Sequence, residues 1–285
     1  MTGREYILAK QTAWARNHGK KLIGSKMERG RPAYTNRLEE NLFQTLLPDT
    51  RADFEAGDGR ELSGSPQKMA AIHSSSALGV NIFQYWKKVG DVAAIATACG
   101  LCVSGSKSPR RIRFEQKFEI CPAFQRSPNL DVVIENDDRS RIKAYGIECK
   151  FSEAYSSRQH SGLDPKYLDL TGMWEEIPAT RSLAATISPK DDSFKHLHAA
   201  QLIKHVLGLK TRYSLQGFRL LYLWYDVPGE DGVAHSKEVE KFTEIVSRDK
   251  VPFKSLTYQE LIATLSDQAR DVHTQYVEYI SGRYL

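Results

Sequence analysis

One segment near the carboxyl end constrains the fold more than any other. Residues 217–227, GFRLLYLWYDV, form a nearly continuous apolar run. Such a run is typical of a central strand that is buried on both faces of a sheet, with helices packed on each side. Helical patterns flank it, so we expect an α/β fold. The predicted helices are residues 192–207, capped by Asp191 or Asp192 and ended by Gly208, and the segments near 236–248 and 257–281.

Three more strands are predicted upstream of this run. In residues 111–120 the apolar side chains alternate with charged ones, which predicts a strand with one buried face. Residues 130–135 and 142–151 are separated by the turn-like sequence NDDRS, so they predict a hairpin of two strands. The four strands therefore favour a single mixed sheet.

The first third of the chain predicts mainly helices and loops. A capping-box pattern opening at Asn36 predicts a helix that Pro48 stops. A polar loop at 50–64 is followed by a helix over 66–88, with Ser65 as N-cap, and Asp91 caps a short helix after it. We therefore predict two parts: a basic N-terminal extension with a helical segment, 1–65, and a main domain, 66–285.

Basic residues are concentrated in two places along the 285 residues. The whole chain has a net charge of +5, and residues 1–31 carry eight Lys or Arg against two Glu. Such patches suit a polyanion such as DNA, because each neutralised phosphate releases counterions. A solvated terminus and an exposed strand face would have the same composition, so both interpretations stay open. The second basic cluster is Lys107, Arg110, Arg111, Arg113 and Lys117.

Several classes of protein are disfavoured by what the chain lacks. No apolar run approaches the roughly 20 residues that cross a bilayer, and the start has no secretory pattern. We therefore expect a cytoplasmic protein of a prokaryotic cytosol, without a membrane partner, whose four cysteines stay reduced.

Cys99 and Cys102 have the spacing of half a zinc site, but no second half follows. Three histidines of one predicted helix suggest a metal site more weakly, since solvated or core histidines are commoner: His196, His198 and His205.

The candidate catalytic residues lie on the predicted hairpin. Asp131 is at the start of one strand, and Glu148-Cys149-Lys150 is at the end of the other. With the turn centred near position 139.5, residues 131 and 148 lie opposite each other, about 5 Å apart. Glu148 and Lys150 share one face, because side chains alternate along a strand. Two carboxylates and one ammonium are therefore predicted to converge.

This grouping matches the needs of phosphodiester cleavage. Asp131 and Glu148 supply hard oxygen ligands for Mg²⁺, which polarises phosphate and acidifies water, and the Cys149 carbonyl is a third candidate ligand. Lys150 would orient or deprotonate the water, or offset charge on the phosphate. Two other acid-x-lysine sequences are set aside. Asp164-Pro165-Lys166 has a central proline, which disfavours a position in the core of a sheet. Glu115-Gln116-Lys117 lies on a predicted strand, but its candidate upstream acid, Asp91, is predicted to cap a helix.

The order of elements and the placement of Asp131, Glu148 and Lys150 resemble the αβββαβ core of the PD-(D/E)XK, or restriction-endonuclease-like, nucleases. HSSSALGVNIF and YVEYISGRYL are also similar to a group of bacterial restriction-like nucleases, and the resemblance spans about 66–285. It implies a Mg²⁺-dependent endonuclease acting on DNA in restriction, defence or repair, with Mn²⁺ as a substitute metal and a homodimer for double-strand cuts.

The resemblance also extends the candidate site. The family often has an acid on its first core helix, and the helix predicted at 66–88 has none, so Glu115 is a candidate replacement or a solvated strand carboxylate. One metal or two are both compatible with this set. Gln201 and Lys204 are candidates for facing the site, or else belong to a wet helix face. With Arg111 and Arg113 they form the predicted nucleic-acid-binding set.

Two alternatives come from other classes. The same residues occur in surface ion-pair clusters, and a domain of this fold can bind nucleic acid, or serve in assembly, without cleaving it. An RNA-directed nuclease is the third possibility, because no aromatic RNA-recognition signature decides the substrate.

Overall fold

The computed structural model describes residues 1–26, 30–157, 160–268 and 270–285. Within these ranges no helix combines the length and apolar character needed to span a bilayer. The strands are β1 Leu22–Gly24, β2 Pro32–Thr35, β3 Pro109–Lys117, β4 Asn129–Asn136, β5 Ala144–Lys150, β6 Phe218–Trp224 and β7 Phe253–Thr257. The helices are α1 Gly3–Asn17, α2 Pro48–Ala56, α3 Ser75–Val89, α4 Val92–Ala98, α5 Pro178–Thr186, α6 Ala199–Tyr213, α7 Glu230–Arg248, α8 Tyr258–Gln268 and α9 Thr274–Tyr284.

A mixed sheet in the order β3-β4-β5-β6-β7 lies at the centre of the molecule. β3, β4 and β5 are antiparallel neighbours, whereas β5, β6 and β7 run parallel. The apolar run predicted as a central strand is β6, which pairs along both edges. With α3 before β3 and α6 between β5 and β6, the expected α/β fold with an αβββαβ core is confirmed.

The register of the β4–β5 hairpin is the one predicted. Val132 pairs with Ile147 and Glu135 pairs with Ala144, so the strands are symmetric about a point between residues 139 and 140. Extending this register by one residue sets Asp131 opposite Glu148. The hairpin therefore aligns the two acids before any side-chain contact is considered.

The two faces of the sheet belong to separate hydrophobic clusters. In β6, Leu221 and Leu223 pack in the first cluster, whereas Leu220 and Tyr222 pack in the second, as alternation along a strand requires. Helices α3, α4, α8 and α9 contribute to the first cluster, and α5, α6 and α7 to the second. Each large apolar side chain buried in this way contributes about 1.5–3 kcal/mol. The sheet is thus enclosed on both sides.

The prediction that residues 111–120 bury one face is wrong. Ile112 and Phe114 pack in the first cluster, whereas Phe118 and Ile120, just beyond β3, pack in the second. The change of side follows Glu115, whose φ of 50° lies in the left-handed region. A residue in that conformation interrupts the regular pleat of a strand.

Two helices predicted before the sheet are misplaced, whereas Asp91 caps α4 as predicted. The helix expected between Asn36 and Pro48 is only a 3-10 turn, Leu38–Asn41, and Pro48 begins α2 instead of ending a helix. The helix expected over 66–88 begins at Ser75, with Ser74 as its cap.

Tertiary hydrogen bonds explain the first of these errors. The amides of Phe43 and Leu47 donate to the side chains of Asn81 and Gln84 on α3, at 2.7 and 2.9 Å. Backbone donors that are satisfied by side chains of another element have no need of helical partners.

The carboxyl-terminal predictions are corrected in three respects. α6 begins at Ala199 and continues through Gly208, where an added Cβ would lie 2.8 Å from the carbonyl oxygen of Phe118. This glycine therefore permits close packing and does not end the helix. The helix predicted at 257–281 is divided into α8 and α9, and the sequence did not predict β7.

The N-terminal helix packs on the last one around a buried arginine. Arg283 of α9 is 1% exposed, and its guanidinium lies 4.1 Å from the ring centroid of Trp14 on α1. It also donates to the side chain of Gln11 at 2.9 Å and to the carbonyl of Asn41 at 2.7 Å. Ile7 of α1 belongs to the first hydrophobic cluster. The division at residue 65 stays a prediction, but extensive contacts cross it.

We expect Trp14→Ala to lower the free energy of unfolding by about 3 kcal/mol, because it removes a buried ring and the aromatic partner of Arg283. Urea unfolding followed by far-UV circular dichroism measures this. Arg16→Ala, at an exposed position of the same helix, is the control and should change stability by less than about 0.5 kcal/mol. If Trp14→Ala only produced a separate early transition and left the main one unmoved, the N-terminal part would be an independent extension.

Candidate active site

Glu148 and Lys150 lie in direct contact at the end of β5. The Lys150 Nζ atom is 2.7 Å from Glu148 Oε1, so the two side chains share one face of the strand as predicted from their spacing. Between them the Cys149 side chain is buried in the first hydrophobic cluster. The alternation of β5 thus separates a polar site from an apolar layer.

Glu148 is a buried carboxylate with a basic group at each oxygen. It is 1% exposed, and the second oxygen, Oε2, lies 2.8 Å from Nε2 of His205 on α6. Burial by itself would raise the pKa of Glu148, but the interactions with Lys150 and His205 outweigh it and lower that pKa to about 2. Glu148 is therefore ionised at neutral pH.

Asp131 is tied to β5 through the backbone. Its Oδ2 accepts a hydrogen bond of 2.7 Å from the amide of Cys149, between Glu148 and Lys150. Burial and the nearby charge of Glu148 raise the pKa of Asp131 well above its usual value. The hairpin therefore brings Asp131, Glu148 and Lys150 together, with two carboxyl groups close enough to repel each other.

α6 supplies two side chains to this cluster. Gln201 Oε1 accepts a hydrogen bond of 3.0 Å from Lys150 Nζ, and His205, four residues later, contacts Glu148. Residues four apart lie on the same face of a helix, so both point at the end of β5. Burial lowers the pKa of Lys150, but Glu148 and other nearby acids raise it above its usual value.

Sequence reasoning missed the role of His205. It treated the histidines near α6 as a weak metal signal, although the spacing of Gln201 and His205 was visible. In the described part of the chain, no group of three or more His, Cys, Asp or Glu side chains is arranged to hold a metal ion. All four cysteines, which lie within the described residues, are free thiols.

Glu115 lies on β3, next to β4, and is strained. The backbone of Glu115 has a φ of 50°. A Cβ added to Gly57 would lie 2.9 Å from the Cβ of Glu115, so only glycine at position 57 leaves room for this side chain. Glu115 accepts a hydrogen bond of 3.2 Å from Asn129. Burial raises the pKa of Glu115 to about 7, and the charge of Glu148 contributes to this increase. A strained backbone held in place by its surroundings often marks a functional position.

The predicted nucleic-acid-binding residues have different environments. Arg113 forms an ion pair of 2.7 Å with Asp53, whereas Arg111 is exposed. Lys204 is partly buried on α6, and this burial lowers its pKa. Nucleic-acid binding by these residues and by Gln201 stays a prediction.

The donor set at the hairpin fits a magnesium ion. Asp131 and Glu148 offer hard carboxylate oxygens, and the mutual repulsion that raises the pKa of Asp131 is what a divalent cation would relieve. Mg²⁺ is commonly held by one or two carboxylates, with water and substrate phosphate completing the shell, whereas structural zinc needs four protein ligands. Two carboxylates therefore suit magnesium better than zinc.

The five-stranded mixed sheet flanked by helices is the fold of a restriction-endonuclease-like protein. A family model described as "Restriction Endonuclease associating with ARP" matches residues 8–285, so the chain belongs to that family. No curated protein and no solved structure matches the chain.

We expect Glu115→Gly to be more stable than Glu115→Gln by about 1 kcal/mol. Both changes remove the carboxylate, but only glycine relieves the left-handed backbone. Chemical denaturation of the two variants side by side measures the difference. Equal stabilities would show that the backbone at this position stores no strain.

Glu115 should also make stability depend on pH. Its carboxyl ionises near 4.5 when unfolded and near 7 when folded, so between these values the native state binds more protons. The free energy of unfolding should therefore fall as pH rises from about 4.5 to 7, and Glu115→Gln should reduce this fall. Thermal unfolding across this pH range provides the measurement, and parallel curves for the two proteins would contradict the assignment.

Proposed function

We propose that this chain is a Mg²⁺-dependent endonuclease of the PD-(D/E)XK type that hydrolyses phosphodiester bonds of DNA. The observation that carries the proposal is the contact of 2.7 Å between Lys150 and the buried Glu148, beside an Asp131 that is fixed to the amide between them. A surface ion-pair cluster would be solvated, whereas Glu148 is almost fully buried.

The carboxylates have the first role in this proposal. Asp131 and Glu148 would hold the metal, together with the Cys149 carbonyl, and Glu115 is a candidate for a further ligand. When bound, Mg²⁺ supplies positive charge that polarises the phosphate and lowers the pKa of water. Mn²⁺ would substitute, since oxygen ligands also suit that ion.

Lys150 has the second role. Its raised pKa means that the amine stays protonated at neutral pH, which favours a cation that orients water and offsets charge on the phosphate over a general base. Gln201 accepts from the same Nζ atom and would hold it in place. His205 would do the same for Glu148.

The family match supports a proposal for the biological setting. Its description names an association with ARP, which we extend to this chain as a proposal, together with a role in restriction, defence or repair of DNA in the cytoplasm. A nuclease with one site per chain needs two copies to cut both strands at once, so we also propose a homodimer on DNA.

Lys150→Ala should reduce cleavage by at least about 100-fold, because the phosphate loses a fixed cation. Purified protein is incubated with plasmid, single-stranded DNA and RNA, with Mg²⁺ and then with EDTA. Lys88→Ala, at an exposed lysine of α3, is the matched control and should cleave normally. Circular dichroism checks that both variants are folded.

The outcomes separate the candidate functions. An active Lys150→Ala enzyme would refute the assigned site. Binding of DNA without metal-dependent cleavage of any substrate would favour a non-catalytic module, and cleavage of RNA alone would change the substrate class.

His205→Ala should raise the Mg²⁺ concentration needed for half-maximal cleavage by about 10–100-fold, because Glu148 loses the partner that orients its second oxygen. His205→Gln keeps an N–H donor and should restore part of this loss. Titration of activity with Mg²⁺, together with Mn²⁺ binding measured by electron paramagnetic resonance, tests the effect. Losses of equal size at saturating metal for both variants would show that His205 is only structural.

A further inference from the structure

A cavity opens beside Lys150 and has no role in the chemistry proposed above. Its volume is about 510 Å³, and Lys150, Glu153, His160 and His198 are among the residues that line it. Pockets of about 300–1,000 Å³ accommodate small organic groups. Because Lys150 lies in its wall, anything bound here would lie next to the scissile phosphate.

Two imidazole rings form a stack in this wall. The rings of His160 and His198 are stacked, with centroids 4.6 Å apart and planes inclined by 11°. Nε2 of His160 lies 3.2 Å from the carbonyl oxygen of His196, to which it donates, and this contact holds the pair in place. Aromatic and imidazole faces of this kind are used by proteins to stack unpaired bases.

One ring nitrogen of this pair is buried without a hydrogen-bond partner. Nε2 of His198 is shielded from solvent and has no hydrogen-bond partner among the described residues. Leaving a buried polar group unpaired is unfavourable, so a ligand that supplies a donor or acceptor here would be stabilised.

The charges of the wall favour an uncharged occupant. Lys150 is engaged by Glu148, and Lys190 forms an ion pair of 2.9 Å with Asp192. Burial lowers the pKa of His198 to about 3 and also lowers the pKa of His160, so both rings are neutral at pH 7. A phosphate would find little unpaired positive charge, whereas a flat, neutral base would find a stacking surface.

We propose that this cavity receives one nucleobase of the DNA strand being cut, taken out of the base stack next to the scissile phosphate. The base stacks on the His160–His198 pair, and another polar group of the same nucleotide bonds to Nε2 of His198. Unstacking a base is unfavourable, and the contacts in the cavity offset part of that cost. The inference rests on the proposed nuclease function and adds a specificity site to it.

The test is direct binding without metal or cleavage. The full chain, with ¹³C-labelled histidine, is titrated with the four deoxynucleoside 5′-monophosphates while the imidazole signals are followed by NMR. We expect the signals of His160 and His198 to shift with at least one nucleotide, and that of His18, an exposed histidine on α1's C-cap, to stay in place. 2-Deoxyribose 5-phosphate and inorganic phosphate should leave all of them unmoved.

Two variants at His198 give a second test. His198→Ala should weaken nucleotide binding by about tenfold or more, as expected for the loss of one stacking surface. His198→Phe keeps a stacking ring without its nitrogen, so it should restore most of the lost affinity. His18→Ala is the matched control and should bind as the unaltered chain does.

The outcomes distinguish this inference from the nuclease proposal. Absence of histidine shifts with every nucleotide, or equal shifts with 2-deoxyribose 5-phosphate, would overturn the base site whatever the cleavage assays give. Nucleotide binding that His198→Ala leaves unchanged would overturn it as well. Loss of cleavage in Lys150→Ala bears on the nuclease alone.

Discussion

The site depends on one buried negative charge. Glu148 lies at the end of β5, almost without solvent, and is kept ionised by Lys150 from its own strand and by His205 from α6. A buried carboxylate without such partners would take up a proton. The parallel pairing of β5 with β6 and the packing of α6 behind them hold these partners in place. The sheet and α6 together therefore keep Glu148 charged.

Two features around Glu148 reduce the stability of the folded chain. Asp131 is held near Glu148 although like charges repel, and Glu115 keeps a left-handed backbone within a strand. The left-handed backbone costs about 1–3 kcal/mol, and the repulsion between the carboxylates also reduces stability. Enclosure of the sheet by two hydrophobic clusters supplies the stability that tolerates them. Their concentration around Glu148 supports a functional site there, and the family match gives the class.

The N-terminal helix shows how far the domain extends. Trp14 covers the guanidinium of Arg283, and the buried Arg283 bonds to groups from two other segments of the chain. A buried guanidinium needs these donor–acceptor contacts, because an unpaired charge would be costly. Three basic residues of the first segment, Arg4, Lys10 and Arg16, therefore lie on a helix that packs on the core.

Local sequence patterns were enough to predict much of this structure. The apolar run at 217–227, the hairpin register and the alternation at Glu148-Cys149-Lys150 follow from side-chain period and turn position alone, and they determined the α/β class and the convergence of two acids with a lysine. Helix boundaries before α3, the role of Gly208 and the contact of His205 with Glu148 were decided by tertiary structure. In each case the deciding partner lies far away in sequence: α3 side chains satisfy the amides near Phe43, Phe118 packs on Gly208, and α6 reaches the end of β5. Contacts between distant segments leave no periodic signal in the chain, so only the folded arrangement reveals them.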